Sequence, residues 1–259
     1  MISVIDKVCC FGRNFFLAPT LIIIENCEVR ACPNSGIRAN SADYVIVRNN
    51  KVYDNTWWSS NAESAIVFAE SASIDESDIY KMFIVGNEVF DNQNKIPYYN
   101  ANYDDPEYMK EKNMHVAREN YGSKAQTFII DGSGVYISRN SQTYSHGKYD
   151  LSFNECYRNG INGMVVHKTD RARIIGNLVY ENGQVPKSSP EERQSYAGIT
   201  LNNANDVILR DNYVEITDSS DQGYTNSKSK FDEINSGNNK LCNGRMASVF
   251  KPFVTKTCK

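Results

Sequence analysis

Ser152-Phe153-Asn154-Glu155-Cys156-Tyr157-Arg158-Asn159 and, 23 residues on, Ile175-Gly176-Asn177-Leu178-Val179-Tyr180-Glu181-Asn182 follow one template, close to aliphatic-x-Asn-x-aliphatic-aromatic-x-Asn. The template recurs at Arg48 to Asn55 and at Val85 to Asn92. A fixed unit reused along a chain marks a solenoid, in which each repeat buries its apolar face only against its neighbours. A coil of 23 residues is too short to hold a crossover helix between parallel strands. The expected fold is therefore all-β: a single-stranded parallel β-helix. Asn50, Asn87, Asn154, Asn177 and Asn212 are expected at the same bend of each coil, where tolerance of left-handed backbone and side-chain-to-backbone bonding suit asparagine.

Each unit is followed by a short strand: Gly36 to Asn40, Ala65 to Glu70, Gly134 to Arg139, Gly163 to Lys168 and Gly198 to Asn203. Period-two alternation points Ile37/Ala39, Ile66/Phe68, Val135/Ile137, Met164/Val166 and Ile199/Leu201 inward. A second strand per coil is expected at Val45 to Val47, Phe83 to Val85, Leu151 to Phe153, Arg173 to Ile175 and Val207 to Leu209. The repeat occupies 1–217, with insertions at about 93–127 and 183–195 that are long enough to carry function. The first insertion holds Tyr98, Tyr99, Tyr103, Tyr108 and Tyr121 with Asp104, Asp105 and Glu107, a composition suited to walling a groove. Residues 218–259 lose the repeat and are expected to form a carboxy-terminal capping tail of the same domain.

Bulk properties exclude several classes. A net charge of −3 and the absence of a dense Lys/Arg run argue against nucleic acid and anionic membrane as partners. No apolar run approaches the roughly 20 residues of a membrane span. The start, Met1 to Cys10, lacks a secretory pattern, so a removed signal or a longer parent chain is expected. Of seven cysteines, Cys27/Cys32 and Cys242/Cys258 are spaced to close local loops and favour an oxidising compartment; Cys27 and Cys156 suit buried thiols equally well.

From Leu21 to Thr217 the pattern resembles the right-handed parallel β-helix proteins of the pectate-lyase-like superfamily. The resemblance implies a right-handed coil and a secreted or extracellular protein whose partner is a polysaccharide. Members are mostly lyases, hydrolases and epimerases of acidic polysaccharides, with substrate lying across an outward sheet; some have no enzyme activity. Ser145-His146-Gly147 with Asn162 to Thr169 resembles polygalacturonase motifs, but the paired upstream aspartates are missing. Tyr144-x-His146 is similar to the tyrosine and histidine of alginate lyases and mannuronan C5-epimerases, whose Asp-Pro-His core is absent. Ile37 to Ser41 resembles a coil strand of β-helix alginate and chondroitin lyases.

Stacked coils, about 4.8 Å apart, turn equivalent outward positions into columns. One reads Arg38, Val67, Tyr136, Val165, Thr200; the next Asn40, Ala69, Ser138, His167, Asn202; the third Ser41, Glu70, Arg139, Lys168, Asn203. Tyr136, Arg139, His167 and Lys168 thus gather within two rungs. Removing the C5 proton of a uronic acid requires its carboxylate to be neutralised, a task for Arg139. Lys168 or His167 would be the base, Tyr136 or Tyr144 the acid, with His146 reaching in from the bend. Arg38, Glu70, Trp57, Trp58, Tyr144 and Asn202 are the candidate sugar-binding residues, one tryptophan packing inward and the other forming a platform. Asp75, Glu76 and Asp78 could ligate calcium, although a solvated acidic turn is the simpler reading; no other cofactor is expected. Asp131 is a turn residue or a further acid of the site, and His115 an ordinary surface residue. The competing functions are a non-catalytic glycan-binding, adhesion or structural scaffold, in which Arg139, Lys168 and Glu70 form only a charge ladder, and a glycoside hydrolase.

Overall fold

Each coil lays down three strands, and each strand pairs in parallel with its counterpart one coil away. The computed structural model describes residues 21–58, 63–96, 132–185 and 196–258. The first coil supplies Ile22–Glu25, Glu28–Arg30 and Ile37–Asn40. From these grow a first sheet of six strands ending at Ile208–Arg210, a second of eight ending at Val254–Lys256, and a third of seven ending at Arg245–Met246. The architecture is a parallel β-helix, with no α-helix among the described residues. The second sheet is the element the sequence pattern concealed: its strands, such as Lys51–Tyr53 and Glu155–Tyr157, lie inside the asparagine template itself.

The inward residues close one continuous core. Ile37, Ile66, Phe68, Val135, Ile137, Met164, Val166, Ile199 and Leu201 are buried together with the first-sheet residues Val45, Ile84, Leu151 and Ile174 and the second-sheet residues Val52, Val89, Cys156 and Val179. Alternation alone accounts for this, because the side-chain period of a strand is two and one face of every sheet turns inward.

Two asparagine ladders flank the second sheet. Asn154 shows the pattern of the first: its Nδ2 donates to Ile84 O (2.8 Å) in the coil before and to Asn177 Oδ1 (3.1 Å) in the coil after. Its own Oδ1 accepts from the backbone N–H (3.1 Å) and Nδ2 (3.0 Å) of Asn87. The same bonding runs through Asn50, Asn87, Asn177, Asn212 and Asn239. The second ladder, Asn55, Asn92, Asn159 and Asn182, is built identically from the last asparagine of each template. All ten are buried. Between the ladders the template's aromatic forms a stack on the outside, Tyr53, Phe90, Tyr157 and Tyr180, with centroids 4.8, 4.9 and 4.9 Å apart.

The left-handed residue of this bend is not the asparagine but the one before it. Asn26, Asn49, Gly86, Phe153, Gly176, Asp211 and Asn238 all have φ between 54° and 66°. Six of these seven are types that accept this conformation at little cost, whereas Phe153 is a bulky exception. Its ring is 66% exposed and lies against the next coil at Gly176, where a Cβ would stand 2.7 Å from it.

Parallel pairing also runs past Thr217. Gln222–Ser227 pairs with Tyr196–Asn202, and Asn239–Cys242 with Tyr213–Glu215, so the change near residue 217 is one of sequence repeat and not of strand pairing. Cys242 and Cys258 form a disulfide. The Cys27/Cys32 pairing is not formed: Cys27 keeps its thiol, bonded to Glu25 O at 3.2 Å, and Cys32 is in a disulfide whose other half lies outside the described residues. The inserted tyrosines and acids, His115 and Asp131 lie there as well.

Two stability predictions follow from the ladder and its bend. Asn154→Ala strands partners in both neighbouring coils at about 1–3 kcal/mol each, so it should cost at least ~3 kcal/mol in urea unfolding. Phe153→Asn removes an unfavourable left-handed phenylalanine and should stabilise the protein by about 1 kcal/mol, read as a higher urea midpoint; a lower midpoint would show that the ring holds the bend.

Candidate functional site

The outward face of the third sheet carries the predicted columns in register. Arg38, Val67, Tyr136, Val165 and Thr200 pair in succession, as do Asn40, Ala69, Ser138, His167 and Asn202. On this face Val67, Ala69, Ser138 and Val165 are all buried although they point away from the core.

At its centre the His167 imidazole meets two hydroxyls of the preceding rung. Nδ1 is 3.2 Å from Tyr136 Oη and 3.1 Å from Ser138 Oγ, and the two rings stand edge to face at 6.2 Å. Burial, then the positive charges of Lys168 and Arg139, lower the His167 pKa from its ordinary 6.5; a cation there would be both desolvated and repelled. The His167 imidazole is therefore neutral at neutral pH, held beside a phenol.

The third column follows at the corner where each strand ends. Ser41, Glu70, Arg139, Lys168 and Asn203 all have positive φ, between 45° and 57°. This turns their side chains away from the strict alternation of the sheet. Arg139 Nε is 2.9 Å from Glu70 Oε1, with side chains 54% and 47% exposed. A pair so open is worth about 0–1 kcal/mol. Lys168 follows one rung on, also exposed.

Other candidates are drawn elsewhere. Tyr144 is 3% exposed and its hydroxyl donates to buried Asp43 at 2.5 Å, so it cannot reach a sugar or give up a proton on the outward face; burial, then the bond to Asp43, pushes its pKa far up. It belongs to a packed corner where Lys81 bridges Asp43 (3.2 Å) and Asp75 (2.7 Å). His146 sits at the same corner, held through its backbone by Ser73 Oγ. The acidic turn is likewise occupied by cations: Asp75 by Lys81, which with Ser77 N–H and Tyr44 holds it well below the usual carboxylate range, and Asp78 by Lys148 and Arg171. No group of three metal-ligating side chains occurs among the described residues.

Arg38 lies two rungs from Tyr136, ion-paired to Glu63 at 2.5 Å, and Asn202 one rung beyond His167, accepting from Asn203 Nδ2 at 2.5 Å. Neither tryptophan packs inward: Trp57 is partly exposed and Trp58 is 63% exposed at the turn leading into the third sheet. Sequence reasoning placed Ser138 in a column but gave it no part in the site; its position directly beside His167 was the available signal. Glu63, outside the strands, had none.

No family model matches the chain, and no curated protein matches its sequence. Among solved structures it is similar to a mutant of the periplasmic alginate epimerase AlgG, with 15% identity, a TM-score of 0.47, and coverage of 90% of this chain and 43% of that one. The chain thus spans less than half the length of that protein.

The electrostatics are testable without substrate. The imidazole of His167 should titrate below 6.5 by NMR, and Lys168→Ala should raise its midpoint, because a neighbouring positive charge is removed.

Proposed function

We propose that the protein acts on a uronic-acid polysaccharide as a lyase or C5-epimerase, and that the third sheet's outward face binds the chain. The observation that carries this reading is the 3.2 Å contact between Tyr136 Oη and His167 Nδ1, beside Ser138, the residue that precedes Arg139. A neutral imidazole beside a phenol provides a base and an acid at one point, and C5 proton abstraction needs both. Arg139, exchanging Glu70 for the sugar carboxylate, stabilises the carbanion-like state bidentately, and Lys168 adds charge. In elimination the C5–H electrons form the C4=C5 bond, the C4–O bond breaks, His167 holds the C5 proton and Tyr136 supplies one to the leaving oxygen. In epimerisation C4–O stays intact, Tyr136 keeps its proton, and water on the opposite face reprotonates C5 while His167 returns its proton to solvent. Membership of the pectate-lyase-like superfamily and export from the cell are part of the same proposal.

The exposed Glu70–Arg139 pair favours the second reading, a glycan-binding scaffold without chemistry. Incubation with alginate, pectate and chondroitin separates the two. The enzyme reading expects ultraviolet absorbance from unsaturated uronates or C5 inversion by NMR; neither, with retained glycan binding, establishes the scaffold. His167→Gln should lower kcat at least ~100-fold with little change in thermal melting. Because the His167 pKa is lowered and the neutral form is the base, activity should persist as pH falls to 6.5 and fail only below it. Retained activity in His167→Gln would move the site elsewhere.

A further inference from the structure

We infer that Ser138 is a positioning residue that fixes His167 as the Nδ1–H tautomer, leaving Nε2 as the basic nitrogen. The inference deepens the proposed function, in which His167 is the base. Two hydroxyl oxygens face one ring nitrogen, Tyr136 Oη at 3.2 Å and Ser138 Oγ at 3.1 Å. A neutral imidazole has one N–H and one lone pair. A lone pair at Nδ1 accepts from one hydroxyl and leaves the other oxygen's lone pairs opposed to it. A proton at Nδ1 is shared between both oxygens.

Ser138 is suited to this by place. It is directly paired with His167 across adjacent rungs and buried, so a solvent molecule does not replace it freely. When Nε2 takes up the C5 proton, the imidazolium keeps its Nδ1–H on two oxygen acceptors, and one of them, the phenol that has given up its proton, is anionic. Acid and base thus form a neutral pair after the transfer, which limits the cost of separating charge beside buried residues. Ser138 touches no reacting atom; it acts through the orientation and tautomer of the ring.

The test uses the intact protein with 15N-labelled histidine. The three histidines are assigned with His167→Gln, and the tautomer of residue 167 is read from the 15N shifts and two-bond couplings of its ring above its pKa. The expected result is mainly Nδ1–H in the native protein, with the Nε2–H share rising in Ser138→Ala and falling back in Ser138→Thr. A mainly Nε2–H ring in the native protein, or an unchanged tautomer in Ser138→Ala, overturns the inference. On a turned-over polyuronate, Ser138→Ala should lower kcat about tenfold, part of the ~10²–10⁴ that a positioned acid or base contributes, with KM unchanged and rescue by threonine. If no polyuronate is turned over, the proposed function fails while the NMR result still decides the tautomer.

Discussion

Buried asparagine amides that bond from coil to coil are the constraint on which the rest of this structure depends. A parallel β-helix must turn its chain sharply at every corner, and each turn leaves backbone groups facing the interior with no strand partner. An unpaired buried group costs about 1–3 kcal/mol, and stacked corners repeat that cost on every rung. Asn50, Asn87, Asn154, Asn177, Asn212 and Asn239 answer it at one corner, and Asn55, Asn92, Asn159 and Asn182 at the next. The carboxamide is suited to this because one oxygen accepts two bonds while its nitrogen donates two. Aspartate would lose the donors and glutamine would overreach.

The five residues from one ladder to the next are therefore the rigid part of each coil. Variation is displaced to where no ladder runs. Both long departures from the period fall between a second-sheet strand and the following third-sheet strand: Gln93 to Thr127 after Glu88–Phe90, and Gly183 to Ser195 after Leu178–Tyr180. The candidate chemistry lies on that third sheet. Solenoid repeats carry stability through their neighbours, so one outward face can vary its side chains freely while the ladders hold the register beneath it.

The corner around Lys81 shows a different use of charge. Burial alone would lower the Lys81 pKa, yet its bonds to Asp75 and Asp43 hold it raised. A buried pair is a weak source of net stability, whereas removing one partner is severe. Tyr144, Asp43 and Lys81 come from three different coils, and the geometry that joins them exists only in the folded chain. For this reason Tyr144 reads in sequence as a site residue beside His146 and in three dimensions as part of a clamp. Arg139 and Lys168 are the reverse case. Their place in a column follows from counting, but left-handed corners aim them, and Glu70 occupies one of them.

By itself the sequence determined the coil, its register and the columns, because a period of two within strands and a recurrent asparagine between them leave one consistent winding. Met164 to His167 and Val135 to Ser138 pair as that winding requires. It also brought Tyr136 and His167 onto neighbouring rungs. The tertiary structure alone decided which side chains touch. That Nδ1 of His167 meets Ser138 as well as Tyr136, that Tyr144 turns inward to Asp43, and that the second sheet runs through the template depend on side-chain direction and burial. Periodicity specifies where a Cα stands on the coil, and chemistry depends on where the side chain goes from there.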